Sequence, residues 1–181
     1  MADSFPALTG FYRFLFLYLE PALTALPYFI IWFFPGSAWF FHELIPDGTP
    51  PPSSSVIQDP RAYMVTLQLG NCYLLLGMLS SLAFRAVRDA LPDNPAAQER
   101  ILGASLFAMA VADATHIIAS WIGLPEYLRY AIADWNGTTH GNITFVVFLL
   151  VSRTAWFLGI GRKRYYYGQP KADTKVGSKL E

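Results

Sequence analysis

Four apolar runs, covering residues 11–34, 61–84, 100–123 and 142–161, decide what this chain can fold into. A helix crossing a hydrocarbon core of about 30 Å needs about 20 residues, and each run supplies that length. Lipid offers no partner to a peptide group, so each run must satisfy its own backbone as a helix. We therefore expect an all-α membrane protein, a four-transmembrane-helix bundle forming one domain over residues 1–161, with a basic, flexible tail at 162–181. Composition agrees: 54% of the 181 residues are hydrophobic and only 14% charged, too apolar for an ordinary soluble domain. Lys and Arg balance Asp and Glu at 13 each, so no net charge draws the chain to nucleic acid. The single cysteine, Cys72, falls inside an apolar run and excludes a disulfide framework. Residues 1–10 lack a basic leader region, so the first run reads as a retained span.

The runs are not purely apolar. Asp113 and His116 stand three apart in the third run and share a helix face. A carboxylate near the bilayer centre costs roughly 3 kcal/mol or more, so such groups face a bundle interior and mark a site or a structural polar pair. Glu20 lies in the first run, beside Pro21 and ahead of Pro27, where lost amide donors free carbonyls and kink the helix. Gln68 and Asn71 share a face of the second run, which we expect to look inward as helix-bridging amides or as holders of a polar ligand group. Arg153 sits about ten residues from either end of the fourth run, too deep to snorkel, so it must pair with Asp113 or Glu20.

The connections give orientation. Arg13, Arg85, Arg88, Arg100 and the Arg162-Lys163-Arg164 cluster fall at one end of the spans, against Arg61 and Arg129 at the other, so the basic end and both termini should be cytosolic. Residues 35–60, rich in Pro, Gly and Ser, read as a loop with one interfacial turn, and residues 124–141 as a second cap on the same side. His42 and Glu43 are neighbours that point apart on a helix and make a weak catalytic pair. The sequons at Asn136 and Asn142 abut or enter a span and read as chance matches.

Counting inward at about 1.5 Å per residue places Gln68, Asn71, Asp113, His116 and Arg153 in one layer, with Glu20 somewhat deeper. A carboxyl group taken out of water holds its proton more tightly and becomes a general acid. Asp113 is the first choice for that acid and Glu20 the second, with His116 relaying the proton and Arg153 holding whichever acid stays ionised. Faces of Tyr18, Phe107, Trp121 and Trp156 would stabilise a carbocation, although such aromatic residues also serve as plain packing. No zinc signature, cysteine cluster or aspartate-rich motif appears, so no metal and no cofactor is expected. The expected partners are a lipophilic small-molecule substrate and membrane lipid, with a homo-oligomer compatible with the spans. A non-catalytic sterol or lipid binder or carrier uses the same polar layer, and a scaffold subunit is a further class.

The segments EPALTALPYF, QLGNCYLLLG, AVADATH and WNGTTHGN…FLLVSRTAWFLGIG, from about Phe11 to Gly161, resemble the small fungal four-span proteins of the DUF7704 type. These are similar in size and polar-core layout to emopamil-binding (EXPERA) isomerases and, more loosely, to fungal integral-membrane terpene cyclases. The resemblance implies acid-initiated isomerisation, rearrangement or cyclisation of an isoprenoid or sterol-like substrate in the endoplasmic reticulum membrane. It adds Asn136 to the substrate-binding set and assigns Asp113 and Glu20 the carboxylic-acid role.

Overall fold

The computed structural model describes residues 5–168, and these form helices joined by loops, the longest at 43–59. Four helices are long and apolar enough to cross a membrane: α1, Gly10–Trp32; α3, Pro60–Ala90; α4, Pro95–Gly123; and α6, Gly137–Leu158. Two short helices, α2 at Ser37–His42 and α5 at Glu126–Arg129, lie in the connections between spans. The protein is thus an integral membrane protein of four helices.

Helix ends follow local chemistry more closely than hydropathy does. The Asp59 side chain accepts from Ala62 N, and Pro60 opens α3 where its missing amide is no loss. Asn94 caps Ala97 N ahead of Pro95, so α4 starts five residues before the expected position 100. Asn136 caps Thr139 N, so α6 starts at Gly137 rather than at 142. At its far end α6 stops on Gly159, whose left-handed φ of 76° lets Ile160 N reach the Ala155 carbonyl. In α1, Pro21 cannot donate to Leu17, and the preceding turn widens: Leu15–Leu19 is π-helical, with Glu20 N–H bonded to the Leu15 carbonyl. The expected disturbance at Pro21 is therefore a bulge before the proline.

The spans pack as two pairs. Along α3, Thr66, Gly70, Gly77, Phe84 and Val87 are buried and form one seam against α1. A Cβ at Gly77 would come within 2.8 Å of the Pro21 carbonyl oxygen, so the two backbones approach because that side chain is absent. The other pair is α4 with α6. Between the pairs, tight packing is confined to the basic end, where Leu15, Phe16, Phe84, Leu102, Leu106 and Trp156 form one core cluster. Toward the opposite end the pairs diverge.

That opposite end is capped by both connections, as expected. Asn136 Nδ2 donates to the Glu43 backbone carbonyl at 2.9 Å and to Glu43 Oε2 at 3.1 Å, tying the first cap to the second. His42 bonds Glu43 and Thr49, so the pair serves the loop.

At the basic end, residues 162–168 are not a loose tail. Arg162 Nη2 donates to Glu99 Oε1 at 2.8 Å, and both side chains are fully buried. Glu99 Oε2 accepts from the amides of Tyr165 and Tyr166, while the Arg162 guanidinium lies 3.9 Å over the Trp156 ring. A buried acid straps the chain down, and it lies just ahead of the apolar run that begins at residue 100. The rest of the expected flexible tail lies outside the described residues.

Replacing Glu99 by Ala strands the Arg162 charge in the core, a loss of about 3–5 kcal/mol. We expect a lower melting temperature in detergent and faster proteolytic cleavage after Arg162 to Arg164. A variant that melts and resists protease like the parent would remove the strap from the stability of the fold.

Candidate functional site

The divergence of the two helix pairs leaves a cavity of about 490 Å³ among α1, α2, α3, α4 and α6. That volume lies within the ~300–1,000 Å³ usual for small-molecule sites. Its wall is mainly apolar, with Leu23, Pro27, Ile30, Leu76, Phe145 and Leu149 along its length. It runs from Gly137 near the capped end to Arg153 at its floor, sixteen residues of α6, or about 24 Å.

Arg153 organises the floor. Its Nη1 donates to Asp113 Oδ2 and its Nη2 to Glu20 Oε1, so one guanidinium joins α1, α4 and α6. The side chain is 1% exposed, against 9% for Glu20 and 12% for Asp113. Met109 Sδ lies 3.7 Å from Nη2, and the guanidinium lies 5.5 Å from the centre of the Phe16 ring. Two polar atoms of the group are buried with no hydrogen-bond partner among the described residues: Glu20 Oε2 and Arg153 Nε. Glu20 thus gives one oxygen to the ion pair and keeps one free.

Backbone geometry aims these groups. The π-helical turn Leu15–Leu19 immediately precedes Glu20, and a second, Gly141–Phe145, carries Asn142 about two turns above Leu149 and about three above Arg153. Such turns bulge a helix locally and redirect the side chains beside them. On α4 no bulge is needed, because Asp113 and His116 reach the cavity by their spacing of three. His116 lies one turn nearer the cap, beside the Asn142 side chain.

The four catalytic candidates Glu20, Asp113, His116 and Arg153 all line the cavity. Arg153 pairs with both acids rather than choosing one, which brings Glu20 into the layer instead of below it. None of the expected substrate-binding residues lines the cavity. Gln68 and Asn71 are exposed on the outer face of α3. Gln68 stands two residues from the buried seam positions Thr66 and Gly70, and Asn71 two residues from the cavity-lining Tyr73, and two residues turn a helix by about 200°. Tyr18 is exposed and stacks under Arg85, and Phe107 is 64% exposed. Trp156 is fully buried in the basic-end core, where its Nε1 donates to the Ala7 carbonyl at 3.1 Å. Trp121 packs on the cap cluster of Leu124, Leu128, Trp135 and Ile143. Asn136 is spent on capping α6 and bonding Glu43.

Among the residues that do line the cavity and were missed are Thr24, Trp39, Phe40, Tyr73, Ser80, Asn142 and Phe145. Thr24 lies one turn beyond Glu20, and Tyr73 and Ser80 follow the Gly70 and Gly77 seam by three residues, so helical spacing carried the signal for these. Trp39 and Phe40 come from the folded cap, which no periodicity reveals. Among the described residues, no three His, Cys, Asp or Glu side chains are grouped to hold a metal ion.

A family model described as a domain of unknown function, DUF7704, matches residues 5–163. No curated protein and no solved structure matches the chain.

Arg153→Met should be the most damaging single change at the site, because it strands two buried carboxylates facing each other. Adding Glu20→Gln and Asp113→Asn to that variant removes the stranded charge and should recover a large part of the lost melting temperature. Melting in detergent reads both. If the triple variant is no more stable than Arg153→Met, the ion triad is not what joins α1, α4 and α6.

Proposed function

The chain belongs to the DUF7704 family, and from its geometry we propose that it is an integral-membrane enzyme performing acid-initiated isomerisation, rearrangement or cyclisation of a lipophilic isoprenoid or sterol-like molecule. One observation carries the reading: a buried carboxyl group with a free oxygen stands at the floor of an otherwise apolar cavity. The triad holds two carboxyl groups against one guanidinium, and it is electrically neutral when one carboxyl carries a proton. Glu20 Oε2, free of Arg153, is the oxygen placed to hold and deliver it, while Asp113 stays ionised on Nη1.

The proton adds to a double bond, whose π pair forms the new C–H bond and leaves a carbocation, or to an epoxide oxygen, whose C–O bond then breaks to leave a hydroxyl and a carbocation. Trp39, Phe40, Tyr73 and Phe145 offer ring faces around that charge, in place of the aromatic residues expected from sequence. Loss of a neighbouring proton to the His116 ring restores a neutral product. Return of that proton to Glu20 completes the cycle with nothing consumed. The resemblance read from the sequence, to emopamil-binding isomerases and more loosely to fungal membrane cyclases, is what favours this reaction class and residence in the endoplasmic reticulum membrane. The gathering of Arg85, Arg88, Arg100 and Arg162–Arg164 at one end supports a cytosolic position for that end and for both termini.

A second reading, a sterol or lipid binder without turnover, is favoured by one feature: each acid already has Arg153 as a partner. In membranes containing the protein, a panel of isoprenoid olefins, epoxides and sterols followed by mass spectrometry should yield a rearranged product. Glu20→Gln and Asp113→Asn should each lower its rate by about 10²-fold or more. Wild-type rates in both variants would sink the enzymatic reading, and a panel member recovered bound but unchanged would establish the second.

A further inference from the structure

Helix α3 carries two faces of different character. Its buried residues Thr66, Gly70, Gly77 and Phe84 recur at spacings of four, seven and seven and pack on α1. Shifted by two residues, and so on nearly the opposite side, runs a second seam: Met64, Gln68, Asn71, Leu75, Met78 and Leu82. Its spacing is four, three, four, three, four, the period of a left-handed coiled coil. All six are exposed, Met64 and Leu75 at 62% each. Among the described residues, neither the Gln68 nor the Asn71 side chain has a hydrogen-bond partner.

The depth of those amides matters. Arg61 and Arg85 bound the apolar part of α3, and the midpoint between them is Tyr73. Asn71 is then about 3 Å and Gln68 about 7.5 Å from the middle of the span. Side-chain amides facing lipid at that depth have no water to bond, so a partner helix must satisfy them.

We propose that this face of α3 is the interface of a homodimer, with α3 of a second copy crossing it about a twofold axis along the membrane normal. Such an axis sets each residue opposite its own copy at the same depth. An amide is both donor and acceptor, so Asn71 bonds Asn71 and Gln68 bonds Gln68 without any further group. A different protein would need its own amides at the same two depths. The interface lies on the side of α3 away from the seam that carries Tyr73 and Ser80 into the cavity, and the proposal stands or falls independently of the chemistry proposed there.

The test uses the full chain in liposomes. With Cys72→Ser as background, Leu75→Cys should form an intermolecular disulfide on mild oxidation, whereas Ile118→Cys on α4, equally exposed, should not. Counting fluorophore bleaching steps in dilute bilayers should give two copies per particle. The double change Gln68→Leu with Asn71→Leu should weaken dimerisation by roughly tenfold or more while leaving the monomer melting temperature unchanged. Single bleaching steps, cross-linking as strong at Ile118→Cys as at Leu75→Cys, or undiminished dimerisation of the double variant would each overturn the proposal. So would pairing of the Leu75→Cys face with a different protein alone.

Discussion

A guanidinium placed inside a membrane must be answered by negative charge, and in this protein three helices meet because of that requirement. Arg153 takes its partners from α1 and α4, so the pair formed by α1 and α3 and the pair formed by α4 and α6 are held together by charge where they are not held by contact. Below the triad the apolar core closes the bundle, and above it the pairs part. The cavity therefore has a polar floor by construction. The group that joins the pairs is also the group that floors the cavity.

The two ends of the bundle are closed by different means. At the basic end, Glu99 serves as an anion inside the protein, collecting the Arg162 guanidinium and two backbone amides of the turn that follows. At the capped end, closure rests on hydrogen bonds from the Asn136 amide to the Glu43 backbone carbonyl and carboxylate and on a small apolar cluster. A buried ion pair resists opening more than an amide bonded near the surface does, since separating it leaves unsolvated charge. The capped end is the softer one, and the cavity lies beneath it.

Sequence conveyed the architecture and the centre of the site because both follow from the cost of polar groups in lipid. Span number comes from apolar length, and the pairing of Arg153 with Glu20 and Asp113 comes from there being few anions deep enough to meet it. The same rule misplaced Gln68 and Asn71, since it says that an amide in a span must be satisfied and is silent on whether the satisfying helix belongs to the same chain. The glycines held the missing information: Gly70 and Gly77 mark the side of α3 that approaches α1, and the amides lie across the helix from them. The aromatic residues were misread for another reason. Tyr18, Phe107 and Trp156 are apolar bulk, and bulk fits a core, a lipid face or a cavity wall equally well, so only three-dimensional position separates them. Glu99 escaped because a helix that starts at Pro95 carries it into the core, whereas hydropathy began that helix later.

The π-helical turn before Pro21 gives the first span an unusual kind of encoding. In an unbroken α-helix, the side of the bundle that Glu20 faces would follow from its distance in sequence from Tyr12, whose hydroxyl bonds the Ile160 carbonyl at 2.7 Å and so fixes the lower part of the helix. The widened turn takes up extra backbone between those two residues. The heading of the acid is thereby set by how many residues the chain spends between Tyr12 and Glu20, largely regardless of which ones they are. Losing a single residue from that interval would swing the carboxyl group away from Arg153 with every functional side chain still present, so chain length in this stretch is itself part of the site.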